Sequence, residues 1–298
     1  MKLLRLLAVV LVVSGCQSLQ PSSPPSPKTI LVNGTTLAYL EQGTGTPVVF
    51  LHGAFSDHRI WETQREAVAG NYRFIALSMR YFGTAPWPDN GAQFSQATHV
   101  ADVAAFIREL KLGPVYLVGR SYGASIAVVT ALRHPELLRG LFLNEPPLVS
   151  ALTAPADRTA AAEDLKGLAT VREAVKAGDN NRATRLFADF VNNDPGGFDA
   201  SASATRAMHL DNARTVPLTL SPASPAIPVS CEQLGQLKIP VAITKGELTR
   251  PFLRLAAEGA SRCLPGSQLI TIKGARHGAP NQQPAAFNEA LLAFLARR

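Results

Sequence analysis

The sequence has 298 residues, of which 29 are Lys or Arg and 22 are Asp or Glu, so its formal net charge is +7. A hydrophobic content of 46% supplies a sizeable core and excludes a disordered chain. The basic residues are scattered, which argues against nucleic-acid binding, and the absence of CxxC and HExxH patterns argues against a metal site.

The first sixteen residues have the features of an export signal. Lys2 and Arg5 precede an apolar run over residues 6–13, and Val13-Ser14-Gly15-Cys16 resembles the lipobox of bacterial lipoproteins. The resemblance implies that residues 1–15 are a signal peptide and that the thiol of Cys16 is acylated, which anchors the protein to a membrane of the bacterial cell envelope. Gln17 follows, as is typical of Gram-negative lipoproteins of the outer membrane that face the periplasm. The alternative is an ordinary secretory signal in which Cys16 is incidental.

The next segment predicts a tether, and the chain beyond it predicts an α/β fold. Residues 16–28 contain four prolines and four serines, a composition typical of an extended linker. Short apolar segments then alternate with helical ones, which predicts a mostly parallel sheet covered on both faces. The predicted strands are 29–32, 36–41, 48–51, 73–77, 115–118, 140–143, 239–244 and 268–272.

The alternation of strands and helices stops in the middle of the chain. Residues 147–236 contain two predicted helices, at 161–177 and 182–191, and a Pro-rich stretch at 217–228. This segment predicts a helical cap inserted into a core formed by residues 29–146 and 237–298.

One motif predicts a catalytic serine. The strand at 115–118 continues directly into Gly119-Arg120-Ser121-Tyr122-Gly123, and a helical segment follows at once. A G-x-S-x-G pattern between a strand and a helix is typical of a tight turn that exposes the serine hydroxyl above the sheet. We expect the side chain of Arg120 to pack inside the protein rather than to contact a substrate.

A serine nucleophile needs a general base, and His277 is the best candidate. It lies in a glycine-flanked turn soon after the strand at 268–272, near the end of the chain. His99, His134 and His209 have no comparable setting, so we expect them to be surface or packing residues.

The quoted residues together resemble the α/β-hydrolase fold superfamily over residues 29–146 and 237–298. The similar positions are His52-Gly53 with Trp61 downstream, Arg80 with Phe82-Gly83, the Gly119–Gly123 motif, and His277. The resemblance implies that the backbone N–H groups of Ala54 and Tyr122 form an oxyanion hole. It also implies a small-molecule substrate and no metal or organic cofactor.

The acid of the triad departs from the common pattern of this superfamily. Most members carry it as the fourth residue of G-x-x-D after the penultimate strand, where this chain has Thr249. Two carboxylates are candidates instead. Glu145 follows the strand at 140–143, where some branches of the superfamily place the acid, and Glu247 lies two positions before Thr249. We favour Glu145.

The predicted activity is hydrolysis of an ester-like bond through an acyl-enzyme, with Ser121, His277 and Glu145 as the triad. The bond is a carboxylic ester, an amide, a lactone or a C–C bond. The alternative is a non-catalytic lipoprotein that binds a ligand on a hydrolase fold. Once Cys16 is acylated, Cys231 and Cys263 are left as a pair in an oxidising compartment, which predicts a disulfide.

Overall fold

The chain forms one eight-stranded sheet. The strands are β1 (Lys28–Val32), β2 (Thr35–Gln42), β3 (Pro47–Leu51), β4 (Arg73–Leu77), β5 (Val115–Arg120), β6 (Leu138–Asn144), β7 (Val241–Gly246) and β8 (Gln268–Ile272). In the computed structural model, which describes residues 25–297, their order is β1-β2-β4-β3-β5-β6-β7-β8. The second strand is antiparallel to both its neighbours, and every other adjacent pair is parallel. The predicted α/β fold is therefore confirmed.

The predicted signal peptide, Cys16 and the first part of the predicted tether lie outside the described residues. The tether ends where β1 begins at Lys28, whose ammonium group pairs with Glu41. The first two strands form an antiparallel hairpin. Its turn residues Asn33 and Gly34 both have positive φ, which suits a two-residue hairpin turn.

Helices cover the sheet and fill the segment between β6 and β7. They are α1 (Glu62–Ala69), α2 (Gln96–Glu109), α3 (Tyr122–Arg133), α4 (Pro155–Leu165), α5 (Ala169–Lys176), α6 (Asn180–Asn192), α7 (Gly197–Ala200), α8 (Ser203–Asp211), α9 (Val216–Thr219), α10 (Cys231–Gly235), α11 (Pro251–Cys263), α12 (Ala279–Gln282) and α13 (Pro284–Leu295). Within residues 25–297, none of them is both long and apolar enough to span a membrane.

The central strands are buried on both faces, as their continuous apolar sequences predict. In β3, Val49 and Leu51 face one core and Val48 and Phe50 face the other, because successive side chains of a strand point to opposite faces. Helices α2, α3 and α11 cover the first face. Helices α1 and α13 cover the second.

Residues 147–236, the cap segment, contain helices α4 to α10, and the described strands all lie outside it. The single helix expected at 161–177 is instead two helices. Residues 166–168 form a 3-10 turn between them, and this turn contains Gly167, a poor helix former. The ring of Phe190 lies against Gly167. A Cβ atom at position 167 would lie 2.6 Å from a carbon atom of that ring.

The cap segment packs over the carboxyl ends of the strands, where ligands bind in open α/β sheets. Phe55, just beyond β3, packs with Leu168, Val171 and Val216 of the cap segment in a separate apolar cluster. The cap segment is therefore in a position to shape a site at this edge of the sheet.

Buried polar contacts also fasten the cap segment to the core. The side-chain amide of Asn212 donates to Asp57 at 2.8 Å, and its oxygen accepts the N–H of Gly83 at 2.6 Å. At the other end, Arg250 forms an ion pair with Asp164 at 2.6 Å. The cap segment is thus attached on two sides.

The structure joins Cys231 and Cys263 in a disulfide, with their Cα atoms 5.1 Å apart. The bond links the start of α10 to the end of α11. It therefore connects the last part of the cap segment to a helix that packs on the sheet.

Candidate active site

Ser121 lies in a strained turn between β5 and α3. Its backbone has φ 53° and ψ −117°, a conformation that L-residues rarely adopt. The two glycines of the motif are required by close backbone contacts. A Cβ atom on Gly123 would lie 2.4 Å from the carbonyl oxygen of His52, and one on Gly119 would lie 2.6 Å from Cα of Ala124. The turn therefore accepts only glycine at both places.

His277 and Glu145 are in direct contact. The ring atom Nδ1 of His277 lies 2.5 Å from Oε2 of Glu145, and both side chains are buried. The Glu145 carboxylate also accepts the N–H of Gly246 at 2.7 Å and the hydroxyl of Thr249 at 2.9 Å. Thr249, which occupies the common position of the acid, thus holds the carboxylate that comes from β6.

Glu247 points away from this pair. It is exposed, and its carboxylate accepts the N–H of Gly274 at 2.8 Å in a surface turn. The structure therefore brings Glu145, and not Glu247, to His277.

Burial lowers the pKa of His277 below the ordinary value, whereas the hydrogen bond and the charge of Glu145 act to raise it. Burial has the larger effect. The imidazole is accordingly neutral near pH 7, which is the form that a general base needs.

Ser121 and His277 line the same small space, which we call the inner chamber. Its volume is about 30 Å³, and Ala54, Phe187 and Val191 also line it. Within residues 25–297, no hydrogen bond joins the Ser121 hydroxyl to the His277 ring. Such contacts are often long in a free enzyme and shorten when substrate binds.

The peptide that follows Gly53 is held in one orientation. Met79 donates its N–H to Nε2 of His52 at 3.0 Å, so the proton of this ring is on Nδ1, which donates to the carbonyl of Gly53 at 2.8 Å. The Ser56 hydroxyl donates to the same carbonyl at 2.9 Å. Because the peptide is planar and trans, the Ala54 N–H points the opposite way from this carbonyl. No hydrogen bond within the described chain engages it.

The other predicted oxyanion donor, Tyr122, is the first residue of α3, so its N–H is free of intrahelical bonds. Its side chain is fixed by His99. The Nε2 atom of His99 donates to the Arg80 carbonyl at 3.1 Å, so its Nδ1 atom accepts the Tyr122 hydroxyl at 2.7 Å. Burial lowers the pKa of His99 to about 3, which keeps the ring neutral and this arrangement intact.

Asn144 connects the serine turn with the histidine loop, a role that the sequence analysis missed. Its carbonyl accepts the N–H of Ser121 at 2.8 Å, and its side-chain amide donates to the carbonyl of His277 at 3.3 Å. The Thr244 hydroxyl donates to its side-chain oxygen at 3.0 Å. The sequence feature that could have indicated this role is a polar residue at the end of the otherwise apolar strand β6.

A second space, the outer chamber, opens beside the first and has a volume of about 230 Å³. Arg120 and His209 line both chambers. Arg120 packs inside the protein, as expected, and its side chain also borders the cavity. His209 packs against Phe55 and is likewise carried to the cavity by α8 of the cap segment. The sequence analysis did not place either residue at the cavity, since the cap segment builds the cavity wall from residues distant in sequence.

The part of the chain that the structure describes shows no cluster of metal-binding side chains. Between residues 25 and 297, no three His, Cys, Asp or Glu side chains come together in a way that could hold a metal ion.

Comparisons with known proteins agree with the fold. Residues 46–222 match the alpha/beta hydrolase fold family, and the chain belongs to this family. A 2-(acetamidomethylene)succinate hydrolase of Mesorhizobium japonicum is 26% identical over 273 residues, which cover 87% of this chain and 91% of that protein. An epoxide hydrolase of Caballeronia sordidicola is 32% identical over 122 residues, but the match covers only 41% of this chain and 37% of that protein.

Solved structures share the architecture. A carboxylesterase from Bacillus subtilis superposes with a TM-score of 0.70 at 19% identity, covering 92% of this chain and 93% of that one. A meta-cleavage product hydrolase from Pseudomonas fluorescens IP01 gives a TM-score of 0.69 at 19% identity, covering 90% and 97%. These likenesses show a common fold. With the sequence relatives, they identify the protein as an enzyme of the α/β-hydrolase class.

Proposed function

We propose that the protein is a serine hydrolase that cleaves an ester-like bond of a small molecule through an acyl-enzyme. Ser121 is the nucleophile, His277 the base and Glu145 the acid. The observation that carries the proposal is the 2.5 Å contact between His277 and Glu145, beside the inner chamber that His277 shares with Ser121. Because Nδ1 of His277 faces Glu145, Nε2 is the ring atom available to the serine.

The reaction has two halves. The Ser121 hydroxyl attacks the carbonyl carbon while Nε2 of His277 takes its proton, and the N–H groups of Ala54 and Tyr122 stabilise the oxyanion. The tetrahedral intermediate expels the alcohol, which receives the proton from His277. A water molecule then attacks the acyl-enzyme with the same base, releasing the carboxylic acid and restoring the serine.

The size of the cavity supports a small substrate. The two chambers are below the range of about 300–1,000 Å³ common for drug-sized ligands. A relative that matches 87% of the chain is named for hydrolysis of a succinate derivative, which is also a small molecule.

We also propose that the mature protein is a lipoprotein of the bacterial cell envelope, attached through Cys16 to a membrane, with its hydrolase domain in the periplasm. The support is the order of a basic start, an apolar run and Val13-Ser14-Gly15-Cys16. The Pro- and Ser-rich residues 16–28 then act as the spacer between the membrane and β1.

A fluorophosphonate probe tests the catalytic proposal, because it reacts with activated serines. The wild-type protein should be labelled and should hydrolyse a panel of 4-nitrophenyl esters, with short acyl chains preferred. Ser121→Ala should lose both properties. Ser125→Ala is the matched control, since Ser125 lies one helical turn further in α3 and should not be needed. Labelling of Ser121→Ala at the wild-type rate would refute the proposal.

A further inference from the structure

Arg120 carries a buried positive charge that has no direct partner among the described residues, although the charge of Glu145 attracts it from beyond ion-pair distance. Its side chain is only 7% exposed. Among residues 25–297, no hydrogen bond or ion pair engages its guanidinium group, and its Nε atom is enclosed without an acceptor. Buried charges in proteins are nearly always paired, because removing an ion from water is costly. A buried charge without a bonded partner beside a cavity therefore needs an explanation.

The neighbouring groups do not supply a partner. Glu145 is already bonded to His277, Gly246 and Thr249. Asp194, the acid that lines the outer chamber, pairs with Arg276 at 3.6 Å.

His209 cannot balance the charge of Arg120 either. Its Nδ1 atom donates to the carbonyl of Phe55 at 2.6 Å, and burial lowers its pKa to about 4, so the ring is neutral. Burial also lowers the pKa of Arg120, to about 10, which leaves the guanidinium charged at neutral pH.

The position of Arg120 indicates where its missing binding partner comes from. The side chain borders both the inner chamber, where Ser121 lies, and the larger outer chamber. We propose that Arg120 binds a carboxylate of the substrate, so that the preferred substrates are small esters carrying one free carboxylate near the scissile bond. This inference rests on the proposed function, because it assigns the substrate of the same site.

The chemistry of the cavity favours a carboxylate over a more highly charged anion. Arg120 is the one Lys or Arg that lines either chamber, so the site offers a single positive charge. A guanidinium group matches a carboxylate in shape and can donate two parallel hydrogen bonds to it. The pairing would be strong because the surroundings exclude most water. It would also orient the carbonyl toward Ser121.

The test compares matched esters that differ by one charge. The first pair is 4-nitrophenyl hydrogen succinate and its uncharged methyl ester, in which the carboxylate or its methyl ester belongs to the acyl group. The second pair is 4-acetoxybenzoate and its uncharged methyl ester, in which that group belongs to the leaving alcohol. Arg120→Met keeps much of the volume and removes the charge. Arg262→Met is the control, since Arg262 pairs with Asp157 on the surface.

Wild type should prefer the anionic ester of at least one pair. For that pair, Arg120→Met should lower the ratio of kcat/KM for the anionic ester to kcat/KM for the neutral ester about 100-fold, as loss of a charged hydrogen bond predicts. Arg262→Met should leave the ratio as in wild type. Calorimetry with succinate and Ser121→Ala protein gives a readout without turnover, and adding Arg120→Met should abolish the binding.

The melting temperature separates a binding role from a packing role. Arg120→Met should melt no lower than wild type, because it removes an unpaired buried charge. Charge preferences changed less than about threefold in both pairs would overturn the proposal, and a lower melting temperature beside them would assign Arg120 to packing. The proposed function would survive that result, since it is tested separately by the labelling and hydrolysis of Ser121→Ala.

Discussion

Glu145 and His277 are 132 residues apart in sequence, yet their side chains meet at 2.5 Å inside the protein. The carboxylate reaches the histidine from the end of β6, while Thr249, beyond β7, donates its hydroxyl to the same carboxylate. The carboxylate that meets His277 thus comes from the end of β6, and the residue at the common position of the acid supports it by a hydrogen bond. The first two predictions depend on this arrangement.

Glu145→Gln should lower kcat/KM about 10²- to 10⁴-fold, the range typical of a disturbed general base. It should also shift the acidic limb of the pH–rate profile to lower pH. Glu145 raises the pKa of His277 against the effect of burial, so removing its charge lets that pKa fall further. Glu247→Gln, the matched control, should change neither property. Equal losses in the two variants would contradict the assignment of Glu145.

Thr249→Asp should have opposite effects in two backgrounds. Alone, it places a second carboxylate next to buried Glu145, and this repulsion should destabilise the fold by about 1–3 kcal/mol. Combined with Glu145→Gln, it returns a carboxylate to the common position and should recover at least about tenfold of the lost kcat/KM. Urea unfolding and ester hydrolysis measure the two effects. A double variant no more active than Glu145→Gln would show that position 249 cannot reach His277.

The protein should lose stability as the pH falls from 7 to 5. Burial lowers the pKa values of His52 and His209 to about 4 and that of His99 to about 3, so these rings stay neutral in the fold. The unfolded chain binds their protons below about pH 6.5, which favours unfolding by about 2 kcal/mol per histidine at pH 5. Urea unfolding at several pH values measures this slope. His99→Gln should reduce it, whereas His134→Gln, at the surface, should not. A flat profile would count against the prediction.

The disulfide should contribute measurably to stability. It closes a loop with a sequence separation of 32, and the chain-entropy estimate for such a loop is about 3.7 kcal/mol. Replacing both Cys231 and Cys263 by Ser should lower the free energy of unfolding by that amount. Dithiothreitol should have the same effect on wild type and none on the double variant. Free thiols in the oxidised wild-type protein would contradict the pairing.

Cys16→Ser should release the protein from the membrane fraction or block its processing, because the acylated thiol is the proposed anchor. Cell fractionation followed by mass spectrometry of the mature N-terminus measures both outcomes. Wild-type mature protein that is wholly soluble, with a free Cys16 thiol, would show that the segment is an ordinary secretory signal.

The sequence predicted most of what depends on short segments of the chain. The sheet, the turn at Ser121 and the placement of His277 follow from apolar runs and from glycines next to strand ends. Glu145 was predictable for a related reason, because residues at the carboxyl ends of neighbouring parallel strands lie close together. None of these inferences required knowledge of the cap segment.

The missed features depend on contacts between distant segments. The side chain of Asn144 bonds to a residue 133 positions away, and His209 reaches the cavity only because the cap segment folds over Phe55. Likewise, the exposure of Arg120 to the cavity depends on where α6 and α8 leave space. Periodicity and local motifs carry no information about such distances.

The bonds made by and next to helix α8 limit which mutations can change the substrate range of this enzyme. His209 on α8 lines the cavity and bonds to Phe55, and Asn212, just after the helix, bonds to buried Asp57. A mutation of His209 would alter selectivity only together with a loss of folding stability, and a mutation of Asn212 would remove a buried bond next to the helix that carries His209, so both need compensating changes elsewhere. Ala202 and Thr205 face the outer chamber without such bonds. Laboratory evolution toward bulkier substrates should therefore accumulate its first mutations at positions 202 and 205.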